Sequence, residues 1–172
     1  YNYTTIHSDD AGSTISVERH SDNYNTDYFQ DLVANHTLSM IEQFSTETLE
    51  NPFLIVTSWP TPHAPFTPAP QHKGKFQGYK AHRTPNFNTT KQQNQNKHWM
   101  MRRLAPIDHH SERWIDEHYQ MRSEALMSID RHIELIVQAL EKNGKLNNTV
   151  IMYTSDNGWQ FGQHRISVDK RQ

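Results

Sequence analysis

Residues 149–170, TVIMYTSDNGWQFGQHRISVDK, decide the expected fold of this 172-residue chain. The first five residues are β-branched, apolar or aromatic, which is typical of a buried strand. That run stops at Thr154-Ser155-Asp156-Asn157-Gly158, so a carboxylate and a carboxamide stand where the strand would leave the sheet. Ligands of open α/β sheets collect at the carboxyl ends of strands, and Ca²⁺ prefers such oxygen ligands. A simple turn is the alternative, because Asn-Gly after an apolar run also favours a hairpin.

A second apolar run, residues 52–57, precedes another group of candidate site residues. It shows no polar alternation, so we expect it to be buried on both faces, as parallel strands are. The segment that follows holds His63 between two prolines, which restrict the backbone around it. A rigid loop at the carboxyl end of a strand suits a proton donor, since fixed geometry lowers the cost of alignment. We therefore predict that His63 lies at the same sheet edge as Asp156 and Asn157; a turn histidine without a role is the alternative.

Two helical patterns accompany these strands. Thr26 is predicted to cap the start of the first helix; Ser111 is predicted to cap the second, which ends at Asn143-Gly144. Their apolar residues recur at helical spacing: Phe29, Leu32, Val33, Met40, Ile41 and Phe44, then Ile115, Tyr119, Leu126, Ile129, Ile133, Ile136, Val137 and Leu140. Residues 1–25 are polar and aperiodic, and we expect loops or weak edge strands there. Helices alternating with buried strands predict an α/β fold with a mostly parallel sheet.

Composition narrows the function classes. The net charge of −2 provides no basic surface for a nucleic acid, and no apolar run is long enough to span a membrane. The absence of cysteine excludes disulfides and thiolate metal sites. The chain opens with neither Met nor a secretory signal and ends without a tail. We interpret residues 1–172 as an internal segment of one domain in a longer polypeptide.

Residues 66–110 form a long loop region, in which Lys97, His98 and Trp99 are consecutive. A tryptophan can stack on a sugar ring while neighbouring cations meet an anionic group, so these residues are candidates for substrate binding. A surface loop with one anchoring tryptophan is the alternative. Acceptor sites of the form Asn-x-Ser/Thr indicate a protein of the secretory pathway; they lie at Asn2, Asn35, Asn88 and Asn147.

Several short motifs together resemble the later part of a sulfatase catalytic domain: Pro62-His63-Ala64-Pro65, Thr154-Ser155-Asp156-Asn157-Gly158 and Asp169-Lys170-Arg171-Gln172. Others are similar to the branch of that family that removes 6-sulfate from N-acetylglucosamine in heparan and keratan sulfate. They are Asn23-Tyr24-x-x-Asp27-Tyr28, Asn86-Phe87-Asn88, Asn96-Lys97-His98-Trp99 and Leu146-Asn147-Asn148-Thr149. The resemblance extends from Tyr24 to the last residue.

The resemblance implies an alkaline-phosphatase-like α/β/α sandwich, a bound Ca²⁺ and a formylglycine nucleophile made from a cysteine or serine outside this segment. Asp156 and Asn157 match two of the family's metal ligands. His63 matches the histidine that protonates the departing alcohol, and Lys170 matches the lysine beside the Ca²⁺ and the sulfate. The implied partners are a sulfated glycosaminoglycan and the remainder of the same polypeptide, with a homodimer as a further assembly to test. The implied location is lysosomal or secreted.

Departures from the family pattern leave alternatives open. The formylglycine motif, Cys or Ser followed by x-Pro-x-Arg, and the paired aspartates that should precede it are absent from this chain. Gln160 stands where relatives carry histidine, and residues 163–167 lack the usual Leu-Pro. We expect the segment alone to be inactive. A catalytically inactive sulfatase-derived protein that binds sulfated glycans is the main alternative, and a phosphodiesterase of the same superfamily is a weaker one.

Overall fold

The computed structural model of this chain describes residues 3–8, 14–20, 23–46 and 52–167. Its regular elements are β1 (Tyr3–Ser8), β2 (Thr14–His20), α1 (Phe29–Thr46), α2 (Trp99–Arg103) and α3 (His109–Lys142). Short 3-10 turns occur at Pro70–His72 and Leu146–Asn148. β1 and β2 form an antiparallel pair, in which Tyr3 lies opposite His20 and the register shifts at His7/Ser8. None of the described helices combines the length and the apolar character needed to cross a bilayer.

α1 confirms the first predicted helix, but it begins at Phe29, two residues later than a cap at Thr26 predicts. The Thr26 N–H donates to the Asn23 carbonyl (3.0 Å) in a turn, so Thr26 lies before the helix and does not cap it. Met40, from the predicted apolar stripe, is exposed. The buried positions of α1 instead follow a spacing of four, three and four residues: Gln30, Ala34, Thr37 and Ile41.

α3 is the longest element, and it confirms the second predicted helix and its end. Asp108 is the residue that caps it: its carboxylate accepts a hydrogen bond from the N–H of Ser111 (2.8 Å), the residue predicted to be the cap. That hydrogen bond holds the pKa of the Asp108 carboxyl below its usual value. At the other end Gly144 takes φ +67°, a left-handed conformation that glycine adopts without strain. α3 packs against α1 and buries Ile115, Ala125, Ile129 and Leu140.

The long segment between α1 and α3 is attached to α3 by a row of polar side chains one turn apart. The Phe76 N–H donates to the Glu124 carboxylate (3.1 Å), and the Ala81 N–H donates to that of Asp116 (2.9 Å). Between them the Gln120 amide donates to the Tyr79 carbonyl (2.7 Å). These bonds satisfy loop backbone groups that would otherwise need water. The loop therefore follows the helix in the opposite direction.

The two predicted strands at residues 52–57 and 149–153 form no hydrogen-bonded ladder within the described ranges, and the prediction that they are buried is wrong. Leu54 is 85 % exposed and Val56 77 %, whereas Phe53 stacks on Phe44 of α1 at 5.6 Å between ring centroids. Val150 and Met152, in the second segment, are 87 % and 85 % exposed. The physical reason is that α1 covers one face of residues 52–57, while no described strand lies against the other face.

Candidate functional site

His63 lies on an exposed loop of tight turns. Its N–H donates to the Pro60 carbonyl (2.8 Å), and its own carbonyl accepts from the Phe66 N–H (3.1 Å). The imidazole Nδ1 is 3.0 Å from the Ala64 carbonyl. Because a carbonyl can only accept, Nδ1 must be the donor in this bond, and Nε2 is left as the ring nitrogen that can meet a substrate. The histidine is therefore oriented by its own loop with its second nitrogen available.

Asp156 and Asn157 are also exposed, and the Ser155 hydroxyl organises their turn. Its oxygen is 2.8 Å from the Asn157 carbonyl and 3.4 Å from the Asp156 carboxylate. The Asn157 amide nitrogen donates to the Gly158 carbonyl (2.9 Å). Among the described residues nothing donates to the Asn157 side-chain oxygen, and both Asp156 and Asn157 are exposed to solvent.

Arg122, from the middle of α3, contacts the loops that carry both groups. Its Nη1 donates to the Pro62 carbonyl at 2.7 Å, one residue before His63. Its guanidinium carbon lies 4.1 Å from the centroid of the Trp159 ring, two residues after Asn157. The Phe66 and Trp159 rings themselves meet edge to face at 5.8 Å between centroids. The structure thus brings the His63 loop and the Asp156–Asn157 loop together on one face of α3.

Burial of Arg122 lowers the pKa of its guanidinium, but an arginine stays charged throughout the physiological range. Within the described part of the chain no carboxylate forms an ion pair with it, so aromatic faces and a carbonyl stabilise its charge. Further rings extend this cluster along the helix. The ring contacts are Trp114 with His118 at 4.1 Å, His118 with Phe66 at 5.3 Å, and Phe161 with Tyr119 at 5.5 Å.

The other side of the His63 loop is held by α1 and α3. The Trp59 indole donates to the Gln30 carbonyl (3.3 Å), and the Gln30 side chain bonds the Thr61 hydroxyl. The Trp59 ring also stacks on buried His132 of α3 at 6.2 Å. His132 pairs with Asp31 (2.8 Å), yet burial is the larger effect and lowers the pKa of the imidazole. Both helices therefore fix the position of this loop.

Lys97, His98 and Trp99 are exposed at the start of α2. His98 caps this short helix, and Arg103 lies 5.0 Å over the Trp99 ring. Within the described residues no hydrogen bond or ring contact joins these three to His63, Asp156 or Asn157. The structure thus does not bring the predicted substrate-binding residues into contact with the candidate site. Lys170 and Asn2 lie outside the described residues.

The remaining glycosylation candidates differ in their surroundings. Asn35, on α1, and Asn147, in the turn after α3, are both exposed. Asn88 is half-buried, and its side chain makes two hydrogen bonds to the backbone of Ile107, at 2.9 and 3.2 Å. Attachment of a sugar at Asn88 would disturb this pair, so Asn35 and Asn147 are the better placed acceptors.

The described residues provide only some of the ligands that a metal ion needs. Asp156 and Asn157 supply hard oxygen donors, which suit Ca²⁺. No group of three or more His, Cys, Asp or Glu side chains that could hold a metal occurs in the portion of the chain that the structure describes. Because Ca²⁺ takes about six to eight oxygen ligands, these two residues fit such an ion by chemistry and would need ligands from elsewhere.

Arg122 is the residue that the sequence prediction missed. The apolar stripe of α3 includes Ile115, Tyr119 and Leu126, and residue 122 occupies the place between the last two. A charged residue on an otherwise apolar face was the signal that could have identified it. Its partners could not be predicted, because the two loops it joins are far from α3 in sequence.

Comparison with known proteins identifies the class: the sulfatase family model matches residues 2–171, so the chain belongs to the sulfatase family. The resemblance noted from the motifs is thereby confirmed, and membership implies an alkaline-phosphatase-like α/β fold.

The chain is 39 % identical to N-acetylglucosamine-6-sulfatase of Bos taurus and 38 % identical to that of Homo sapiens. Each alignment covers 100 % of this chain and 29 % of the relative, so the chain spans about three tenths of their length. The extracellular sulfatase SULF-1 homolog of Drosophila melanogaster is 32 % identical, over 88 % of this chain and 14 % of its own length. No solved structure gives a significant match.

Proposed function

We propose that this chain is part of a sulfuric ester hydrolase that removes 6-sulfate from N-acetylglucosamine residues of heparan or keratan sulfate. The observation that carries the proposal is the contact of Arg122 with both candidate loops, 2.7 Å from the Pro62 carbonyl and 4.1 Å from the Trp159 ring. Similarity to proteins named N-acetylglucosamine-6-sulfatase supports the choice of substrate.

His63 is assigned the role of proton donor. When a sulfate monoester splits, negative charge develops on the bridging oxygen, and protonation of that oxygen lowers the barrier. The Nδ1 bond to the Ala64 carbonyl fixes the ring and leaves Nε2 to give the proton. The sugar alcohol then departs neutral instead of as an alkoxide.

Asp156 and Asn157 are assigned to a Ca²⁺ site, and Lys170 to the charged surroundings of the sulfate. Bound Ca²⁺ would supply positive charge to the non-bridging sulfate oxygens. A carboxylate beside a carboxamide oxygen provides hard ligands without filling the coordination sphere. Lys170 would add a compact positive charge near the developing negative charge.

The nucleophile is assigned to a formylglycine outside residues 1–172, because the chain contains no cysteine and no Ser-x-Pro-x-Arg. Sulfate release by the isolated segment would contradict this assignment. The remaining ligands of the Ca²⁺ site are likewise assigned to the rest of the polypeptide.

We extend the proposal to the sheet. Residues 52–57 and 149–153 are assigned as strands of the mostly parallel sheet of an α/β/α sandwich, completed by other parts of the same polypeptide. The exposed Leu54 and Val150 side chains support this, because such apolar surface is costly unless something covers it. A homodimer is a further assembly that sedimentation of the full-length protein would test.

Trp99, Lys97 and His98 are assigned to a more distant part of the sugar chain. One face of the Trp99 ring already has the Arg103 cation above it, so a ring and positive charges lie side by side. Such a pair suits a sulfated sugar. Entry into the secretory pathway, towards a lysosomal or secreted location, is supported by the acceptor asparagines, and removal of glycans by an endoglycosidase would test it.

The experiment is the substitution His63→Ala in the full-length gene product that contains this chain. The rate of sulfate release from N-acetylglucosamine 6-sulfate should fall by about 10²–10⁴-fold, the usual contribution of a positioned proton donor. The matched control is His109→Ala, which removes a fully exposed histidine at the start of α3 and should leave the rate unchanged. A near-normal rate for His63→Ala would remove the assignment. Binding of sulfated glycan without sulfate release by the unaltered protein would favour the inactive binder.

A further inference from the structure

Arg122 stands out because its guanidinium contacts aromatic rings and a backbone carbonyl within the fold. It is half-buried in the middle of α3, beneath aromatic rings of the two candidate loops. Three aromatic rings lie within 6 Å of its guanidinium carbon: Trp159 at 4.1 Å, Phe66 at 5.5 Å and Phe161 at 5.9 Å. Taking a guanidinium out of water is costly, so its retention needs a reason beyond packing.

The rings orient the guanidinium, and the guanidinium in turn orients the histidine loop. Aromatic faces attract a planar cation and restrict its rotation. Held in this way, Nη1 reaches the Pro62 carbonyl at 2.7 Å, a short bond in which the donor is charged. His63 is the next residue, so the position of this carbonyl sets where the imidazole stands.

We propose that Arg122 is a positioning residue that sets His63 against the leaving oxygen of the sulfate ester. This inference rests on the proposed function, because it needs His63 to be the proton donor. Arg122 touches neither the ester nor the metal in this role and acts through the Pro62 carbonyl. Without it, the loop would keep its turns and the stacking of Trp59 on His132 but lose the hydrogen bond that holds the Pro62 carbonyl to α3.

The test compares two esters that differ in their need for a proton. N-acetylglucosamine 6-sulfate releases a sugar alcohol, whereas 4-nitrophenyl sulfate releases a phenolate that departs without protonation. In the full-length gene product, Arg122→Met should lower kcat on the sugar ester by about 10²-fold, since a misplacement of 1 Å can cost that much. On the aryl ester the loss should stay below about threefold, because the proton donor is not needed there. KM for the sugar ester should change little.

Three further variants test whether the loss on the sugar ester comes from the position of His63. Arg122→Lys keeps a cation over the rings but not the planar fork, so it should fold normally and show an intermediate loss with the same dependence on the ester. Arg131→Met, on the same helix, removes an exposed arginine paired with Glu134 and should change neither rate. Adding His63→Ala to Arg122→Met should cost no more than His63→Ala alone, since the two act as a unit.

Equal losses on both esters, or additive losses in the double variant, would overturn the inference and leave Arg122 a residue that only stabilises the fold. Should Arg122→Met fail to fold, Arg122→Lys with the two esters decides the question. The roles of His63 and Arg122 can be tested separately. An unaltered rate in His63→Ala removes the proton donor of the proposed function, whereas a large loss there with an unaltered rate in both Arg122 variants removes only the role of Arg122.

Discussion

Gly162 shows how closely the segment after Asp156 is fitted to the long loop. It takes φ +98°, and a Cβ added there would lie 2.2 Å from the Phe87 ring. On either side of this contact the Asn88 N–H donates to the Gly162 carbonyl (2.8 Å), and the His164 N–H donates to the Asn86 carbonyl (2.7 Å). Only glycine satisfies both the conformation and the space.

Gly162→Ala should therefore lower the free energy of unfolding by about 2–4 kcal/mol, because backbone strain and a side-chain overlap combine. Gly74→Ala is the matched control. Gly74 also has a positive φ (+79°) but nothing within 4 Å of the added Cβ, so only the strain of about 1 kcal/mol should appear. Urea denaturation of both variants gives the comparison, and equal losses would contradict the close packing at Gly162.

His132 makes stability depend on pH. The imidazole is buried between Trp59 and Asp31, and among the described residues its Nδ1 has no hydrogen-bond partner. Burial lowers the pKa of His132 below the ordinary histidine value of about 6.5, although Asp31 opposes the shift and Arg131 and His72 add to it. The folded protein thus binds this proton less readily than the unfolded chain does.

The direction in which stability changes with pH follows from this difference in proton affinity. Stability is fully present above the unfolded pKa of about 6.5 and is lost as pH falls through the lower pKa of the folded state. The free energy of unfolding should fall on going from pH 7 to pH 5, and His132→Gln should make this fall smaller. His109→Gln, which changes an exposed histidine, should leave the pH profile as it is. An identical profile in His132→Gln would contradict the account.

Residues 52–57 behave as an element with one covered face. Phe53 stacks on Phe44, and the Thr57 hydroxyl lies 3.1 Å from that of Thr37, so alternate side chains meet α1. Leu54 and Val56 point the other way into solvent. A period of two in exposure is typical of a strand, although no described strand pairs with this segment.

Polar substitutions on the two faces of residues 52–57 should have different effects on stability and self-association. In the 172-residue chain, Leu54→Ser with Val56→Ser should reduce binding of an apolar dye and self-association, with a change in unfolding free energy of about 0.5 kcal/mol or less. Phe53→Ser on the covered face should cost about 2–4 kcal/mol, because it opens a cavity against α1. Similar losses from both faces would show that Leu54 and Val56 are covered after all.

The sequence predicted the two long helices and the weak strands within residues 1–25. Its prediction that residues 52–57 and 149–153 are buried was wrong, for a physical reason. Helical periodicity and caps are local, so α1 and α3 could be located within a few residues. The burial of a strand depends on its neighbours, which local pattern does not reveal. The apolar run of residues 52–57 indicated two buried faces, and the structure covers only the one that meets α1.

For the whole molecule, the sequence predicted those features of the candidate site that depend on local motifs and missed those that depend on contacts between distant segments. His63, Asp156 and Asn157 carry chemistry that local motifs indicate. These two loops are joined through Arg122, which lies 60 residues after Pro62 and 37 residues before Trp159 in the sequence. Such long-range contacts are fixed by tertiary packing, which one sequence does not reveal.

The proposed site requires the His63 loop and the Asp156–Asn157 loop to lie next to each other. The most direct test is the distance between nitroxide labels on His63→Cys and Asn157→Cys, which is convenient because the chain contains no other cysteine. Arg122 contacts Pro62, one residue before His63, and Trp159, two residues after Asn157. Because consecutive residues are about 3.8 Å apart, the labels should lie within about 20 Å of each other. A distance distribution centred above about 30 Å would place the loops apart and contradict the account.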